Sequence, residues 1–416
     1  MIMILNAKRV KTAIVLTVAS CMMLTGCSFD KANSKINEDA MKNAYAYEVP
    51  ITPDQIPNSM VELLGQYKVV VSGEIHYAKQ HQKMTSLLLE RLHEKGFRYY
   101  VQEAGTSEGY MIDKYIKGKI KTLEDEYLKN DEIMIESLQQ FNEKLRASNR
   151  VDQQITYVGF DMNHRGTIYL QVMKQLGEYY EIDAMKVYAK SLQNEGAKGS
   201  KYSDLIKTYI KVLEASEEEG NPYKKLSGAQ RAQLIELSTT ELTSSAIRLN
   251  WSDIEREDFI YTQVHKVIAG LKNDEKMLVN CGMWHAQYVN KWKVSKDKKF
   301  AWLGMRLKKD FENDPFGVYS YSTATYKANL KKNLYTKERF DYTINMNRNG
   351  NFVKQLHDAF GKKNIFVDFT PLNGRKEKIL IDYVGEASKI KPNVQFNGLL
   401  VYPELSVAEG SLFYEN

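Results

Sequence analysis

The chain alternates short apolar runs with long stretches of helical periodicity, and that alternation restricts what it can fold into. Residues 67–72, centred on Val69-Val70-Val71, have the unbroken apolar character of a strand covered on both faces. Over residues 82–95 the apolar side chains Met84, Leu87, Leu88 and Leu92 return at helical spacing, and Gly96 closes the pattern. Residues 97–102, 155–160 and 277–281 read as further strands, as do 317–322, 364–369 and 398–402. Strands separated by helices need crossover connections, so the expected fold is α/β, with a mostly parallel central sheet flanked by helices.

No proline occurs between Pro57 and Pro222, and residues 110–145 and 167–215 read as charged amphipathic helix. Residues 182–250 carry no strand signal and include the loop-like Gly196-Ala197-Lys198-Gly199-Ser200. They read as a helical insertion lying over the C-terminal edge of the strands. The main α/β domain is expected over residues 61–416.

The N-terminus reads as an export address. Lys8, Arg9 and Lys11 precede an apolar run, residues 12–24, that is too short to span a bilayer as a mature helix. It ends in Leu24-Thr25-Gly26-Cys27, the pattern that lipoprotein signal peptidases cut before the cysteine. Residues 1–26 are therefore expected to leave, and 27–60 to serve as a lipidated tether and extension. A diacylated Cys27 would hold the protein to the extracytoplasmic face of a cell membrane. The formal charge of +6 loses three positive charges with Lys8, Arg9 and Lys11 and falls to +3, too small an excess for a nucleic-acid partner. With Cys21 removed and Cys27 lipidated, Cys281 is left without a disulfide partner, and its apolar strand suggests a buried small hydrophobe.

In a parallel sheet, ligands collect at the carboxyl ends of the strands. Four of these ends are rich in chemistry: Gly73-Glu74-Ile75-His76, Glu103-Ala104-Gly105, Gly159-Phe160-Asp161-Met162 and Gly282-Met283-Trp284-His285. Taken singly, a strand-end histidine is an ordinary capping residue, and Asp161 an ordinary helix cap. Together they direct two histidines and three carboxylates at one edge. His81, His93, His164, His265 and His357 fall on helices or loops and read as satisfied polar residues.

Gly-Glu-Ile-His, Gln-Glu-Ala-Gly followed by Ser-Glu, Gly-Phe-Asp-Met and Gly-Met-Trp-His, in this order, resemble the erythromycin esterase-like family. That family belongs to a wider group with the haem-binding ChaN lipoproteins, the TraB proteins and the TIKI metalloproteases. The resemblance runs over residues 69–407, and Arg256-Glu257-Asp258 is similar to the family's Arg-Asp helix start. Esterases usually carry one more residue between the first glycine and its histidine, and a fuller second histidine motif than the single His285 found here.

The resemblance implies a hydrolase that cleaves a small-molecule ester with histidine-activated water and needs no cofactor. His76 would be the general base, imidazole being the side chain that titrates near working pH. Glu103 would orient the water or hold the His76 tautomer, Glu74 would brace the site, and His285 would polarise the carbonyl or protonate the leaving alkoxide. Asp161 and Arg256 would support them. The alternative is that His76, Glu103 and His285 hold a divalent metal, as in a TIKI-like peptidase. A ChaN-like haem binder is a further alternative, with Tyr77, one of 27 tyrosines, as an axial ligand. Finally, Gly105-Thr106-Ser107-Glu108-Gly109 fits the Gly-x-Ser-x-Gly nucleophile elbow, with Asp161 and His285 following in triad order.

Overall fold

Val69-Val70-Val71 stands at the centre of the main sheet, where a β-branched run buried on both faces is stable only with strands on either side. The computed structural model describes residues 35–48, 53–76, 78–123, 131–215, 217–289, 300–325, 327–330, 340–343, 351–383 and 386–406. Residues 1–34, with the expected signal peptide and Cys27, lie outside them, as does Tyr77. Among the described residues no helix is long and apolar enough to cross a membrane.

In chain order the strands are β1 (Ala44–Tyr47), β2 (Val69–Glu74), β3 (Phe97–Gly105), β4 (Thr156–Asp161), β5 (Lys276–Gly282), β6 (Val318–Thr325), β7 (Lys327–Leu330), β8 (Phe340–Thr343), β9 (Asn364–Asp368), β10 (Ile379–Tyr383), β11 (Glu386–Ile390), β12 (Gly398–Tyr402) and β13 (Leu405–Ser406). The eight-stranded sheet runs β1-β9-β12-β6-β2-β5-β3-β4. Every pairing from β12 to β4 is parallel, and β9 alone is reversed, pairing antiparallel with both β12 and β1 at the far side. The mostly parallel sheet expected from the alternation is thus the observed one.

Among the described residues, helices are labelled α1 (Asn58–Gly65), α2 (Lys79–His93), α3 (Thr106–Ile116), α4 (Glu132–Ala147), α5 (Gly166–Tyr179), α6 (Asp183–Asn194), α7 (Gly199–Glu214), α8 (Gly228–Leu249), α9 (Asp253–Gly270), α10 (Leu303–Asp310) and α11 (Phe352–Phe360). Side chains of a strand alternate between faces, and the two cores follow that period. Val70, Tyr100 and Leu278 join the core built with α1 to α4 and the helices of the insertion. Val69, Val71, Val101, Met277, Val279 and Cys281 join the other, with α9, α10 and α11. Each fully buried valine contributes roughly 1.5–3 kcal/mol.

Gly96 closes α2 at φ +94°, and a Cβ there would stand 2.3 Å from the Asp274 carbonyl oxygen. The long helical stretch expected over 167–215 is broken into α5, α6 and α7, and Glu181 and Ala197 turn the chain at positive φ. α8 begins with a capping box, Ser227 accepting from the Gln230 N–H while the Gln230 side chain accepts from that of Ser227. It lies against the C-terminal ends of β3 and β4, where Glu241 accepts from the Asn163 side chain at 2.8 Å and Ser244 Oγ from the Asn163 N–H at 3.1 Å.

Two differences from the sequence reading concern the N-terminal extension and the small strands. Part of the expected tether is built into the fold: Ile36 and Ala40 are fully buried, and β1 pairs with β9 from Ala44↔Val367 to Tyr47↔Asn364. Ile36, Ala40 and the alternating Ala44-Tyr45-Ala46-Tyr47 were masked by the polar residues around them. The β10–β11 hairpin and the small β13-β7-β8 sheet also went unread, being edge elements without a continuous apolar run.

Gly109 carries a tight contact. It packs α3 onto β4, and a Cβ there would stand 2.2 Å from the Gly159 nitrogen. Gly109→Ala is expected to lower stability by about 1–3 kcal/mol, read as a lower urea midpoint. Gly228→Ala, whose Cβ would meet nothing within 4 Å, is expected to leave the midpoint unchanged or slightly raised.

Candidate active site

The parallel register brings the ends of β2, β5, β3 and β4 side by side, so residues far apart in sequence share one edge. β2 ends in Gly73-Glu74, followed by Ile75 and His76. Gly73 lets the turn after β5 close over it, since a Cβ would lie 2.9 Å from Ala286 Cβ and 3.1 Å from Met283 Cα. The Met283 N–H donates to the Glu74 carbonyl at 3.0 Å and that of His285 to the Gly282 carbonyl at 2.9 Å, fixing the turn that presents His285.

His76 is clamped on one side. Its Nδ1 lies 3.0 Å from Glu74 Oε1, and Glu74 is 5 % exposed whereas the His76 side chain is 47 % exposed. Its Nε2 is turned toward Gly282, where an added Cβ would stand 2.9 Å from it and 3.5 Å from Glu103 Oε2. Burial lowers the His76 pKa, but the charge of Glu103 and the Glu74 hydrogen bond outweigh it and raise it to about 9.

Glu103 is the most heavily bonded group of the cluster. Oε2 accepts the Gly282 N–H at 2.7 Å, and Oε1 accepts from Arg256 Nη2 at 2.8 Å and faces His285 Nε2 at 3.3 Å. Burial raises its pKa, yet His285, His76 and Arg256 together hold it well below the ordinary carboxylate range. Such a carboxylate is an anchor and a poor proton acceptor. His285 is buried, with Nδ1 2.8 Å from Glu257 Oε2. Burial lowers its pKa, but Glu103 and Glu257 lift it to about 10. Arg256, in the first turn of α9, also donates to both oxygens of Asp161, at 3.1 Å from Nε and 2.6 Å from Nη2. Burial raises the Asp161 pKa, but Arg256 and His164 hold it at about 2.

Several members of this cluster were not singled out from the sequence. Asn280, a lone amide in an apolar strand, donates to Glu74 Oε2 at 2.7 Å and to Gln102 Oε1 at 2.9 Å, while its Oδ1 meets His81 Nε2 at 2.9 Å. His81 is a satisfied polar residue, as read, but one that backs the Glu74–His76 pair. Burial lowers its pKa and leaves it neutral. Glu257 adds the Leu303 N–H, at 2.6 Å, to its bond with His285. His164 lies 2.8 Å from Asp161 Oδ2 through Nε2. A polar side chain inside an otherwise apolar strand was the available signal for Asn280 and Gln102; for Glu257 it was adjacency to Arg256. His164 carried none beyond standing three residues after Asp161.

The geometry bears on two alternatives. Ser107 is fully buried and receives the Asn163 amide at 2.8 Å, while His285 directs its ring at Glu257 and Glu103. The Gly-x-Ser-x-Gly motif is therefore a packing device, with Gly105 fitted against Asn163 and Gly109 against Gly159, and no Ser107–His285–Asp161 triad forms. As a metal set, His76, Glu103 and His285 fit poorly: both His285 nitrogens and one His76 nitrogen already face carboxylates, and Arg256 brings a fixed cation to Glu103. Among the described residues no group of three or more His, Cys, Asp or Glu side chains is placed to hold an ion.

Neither a protein-family model nor a curated protein sequence matches the chain. Solved structures do. A succinoglycan biosynthesis protein superposes with a TM-score of 0.64 at 15% identity, covering 90% of this chain and 97% of that one. A Bacillus cereus protein follows at TM-score 0.63 and 14% identity over 92% and 99% of the two chains. A histidine-to-asparagine mutant of the erythromycin esterase EreC, in its open conformation, gives TM-score 0.59 and 12% identity over 88% and 98%. At these identities the likeness is one of fold, and it spans nearly the whole of each partner.

The two raised histidines make a signed prediction for stability. His76 and His285 have folded pKa values of about 9 and about 10, against about 6.5 when unfolded. Their contribution is present in full below pH about 6.5 and is lost as pH rises through 9 to 10. Urea midpoints measured from pH 6 to 10.5 are expected to fall over that window, and His285→Gln is expected to flatten the fall.

Proposed function

We propose that the strand-end cluster hydrolyses an ester by direct attack of water, with His76 as the general base. The observation that carries this reading is the orientation of His76: Glu74 holds Nδ1 at 3.0 Å, which directs Nε2 into the cleft beside Gly282 and Glu103. A histidine fixed through one nitrogen presents the other as base in a defined tautomer. The fold held in common with an erythromycin esterase supports the same reading.

In the proposed reaction, neutral His76 Nε2 takes a proton from water as the water oxygen attacks the carbonyl carbon. Charge develops on the carbonyl oxygen. The His285 cation, whose Nε2 bond to Glu103 is long at 3.3 Å, turns its N–H to that oxygen. The bond from carbon to the alcohol oxygen then breaks, and the departing alkoxide takes the proton from His76, leaving acid and alcohol. Glu103 and Glu74 stay ionised and hold the two rings, and Asp161 holds Arg256 against Glu103. No step is assigned to a metal.

His76→Ala is expected to lower kcat/KM on p-nitrophenyl esters by about 10²–10⁴. Because His76 must be neutral and His285 a cation, wild-type kcat/KM is expected to rise with pH through about 9 and to fall again above about 10. Activity is expected to survive exhaustive chelation, and loss restored by a divalent ion would refute the metal-free mechanism.

The proposal also places the site outside the cytoplasm, on a protein tethered through Cys27. Expressed in its host, the full chain is expected to incorporate labelled palmitate and partition into membranes. Cys27→Ser is expected to abolish both, and continued labelling in that variant would exclude Cys27 as the anchor.

A further inference from the structure

Tryptophan is costly to leave in water, yet Trp251 is 56% exposed and Trp284 48% exposed, whereas Trp302, beside Trp284, is 3% exposed. Both exposed rings belong to the rim of the cluster. Trp284 precedes His285 in the turn after β5, and its ring centroid lies 6.3 Å from that of Trp302, which in turn packs edge-on to His285. Trp251 stands just before the Ser252 cap of α9, the helix that carries Arg256 and Glu257.

Trp251 is built into a polar frame. Its Nε1 donates to Asp253 Oδ1 at 3.0 Å, and its ring lies 6.5 Å from that of His164, inclined by 31°. The His164 side chain is 49% exposed and is held through Nε2 by Asp161, whose carboxylate is fully buried. His164 Nδ1 has no hydrogen-bond partner among the described residues. Asp161 shares the Arg256 guanidinium with Glu103, so the His164–Trp251 face is tied to the proposed catalytic cluster through one cation. The surface therefore offers a broad apolar plane beside an imidazole nitrogen free for a hydroxyl.

That pairing suits one class of ligand. A sugar ring presents an apolar face of C–H groups for an indole to cover and hydroxyls at its edge for a fixed histidine to bond. An acyl chain would be poorly served by a rim carrying Asp253, His164 and a buried carboxylate behind it. We propose that the His164–Trp251 face is a carbohydrate subsite, and that the ester cleaved is one borne on a sugar hydroxyl. This rests on the hydrolytic reading above and adds its substrate class. Hydrolysis would break the bond between the acyl carbon and the sugar oxygen, water supplying the hydroxyl of the acid and the proton of the freed sugar hydroxyl.

The test uses the detergent-solubilised full chain and compares kcat/KM for 6-O-acetyl methyl glucoside with that for ethyl acetate. A variant that merely misfolds lowers both rates alike, so the ratio reports the subsite. Trp251→Ala is expected to lower the glucoside-to-ethyl ratio about tenfold, chiefly through KM, and His164→Ala about fivefold. In parallel, saturation-transfer NMR with unesterified methyl glucoside is expected to give contacts in the wild type that Trp251→Ala removes. An unchanged ratio in both variants, or no Trp251-dependent sugar contact, overturns the carbohydrate subsite. A Trp251→Ala defect seen with ethyl decanoate and not with the glucoside also overturns it, and assigns the face to an acyl chain. A wild type inert on every ester that still binds methyl glucoside through Trp251 overturns the hydrolytic reading and supports the subsite.

Discussion

The guanidinium of Arg256, largely but not fully withdrawn from solvent, is the contact on which the strand-end cluster depends. Glu74, Glu103, Asp161 and Glu257 are all buried within one small region, an arrangement that no fold tolerates without cations among them. Arg256 joins Glu103 to Asp161, His285 lies between Glu103 and Glu257, and His76 lies against Glu74. Removal of any one cation would leave a carboxylate uncompensated, so the network and the geometry it imposes stand or fall together. The raised histidine pKa values and the lowered carboxylate ones are two expressions of this one balance.

The same balance sorts the members by what they are able to do. Glu103 has its oxygens engaged by a backbone N–H, a guanidinium and an imidazolium, which suits it to holding and not to exchanging protons. His76 differs because Glu74 holds its Nδ1 while nearly half of its side chain is exposed. Behind it, Asn280 fixes Glu74 and is itself fixed by Gln102 and His81, so the base is braced two layers deep. On the outer side the network ends at His164 and Trp251, where polar order gives way to an exposed aromatic plane.

Much of the fold was legible because buried strands and amphipathic helices write their periods directly into the chain. β12 falls on the expected residues, and β2, β3, β4, β5, β6 and β9 lie within a few residues of their expected bounds. What went unread was short or disguised: β1 hidden in a segment taken for a tether, the β10–β11 hairpin, and the small β13-β7-β8 sheet. Of the expected site residues, Glu74, His76, Glu103, Asp161, Arg256 and His285 do come together, since all but Arg256 end parallel strands. Ser107 does not join them, because a glycine spacing that permits a nucleophile elbow equally permits a helix to lie flat on β4.

The sequence by itself determined the class of fold and the edge at which chemistry would collect, through the alternation of strand and helix and the polar residues following each strand. It did not determine what each group does. Whether Glu103 serves as base or anchor, whether His81 is incidental or a brace, and whether Gly-x-Ser-x-Gly holds a nucleophile all depend on partners up to some two hundred residues away. Only the tertiary structure brings Asn280 to Glu74, Arg256 to Glu103 and His285 to Glu257. The reason is physical: protonation and hydrogen bonding are set by what lies within a few ångströms, and in a parallel sheet most of those neighbours come from other strands, far away in the chain.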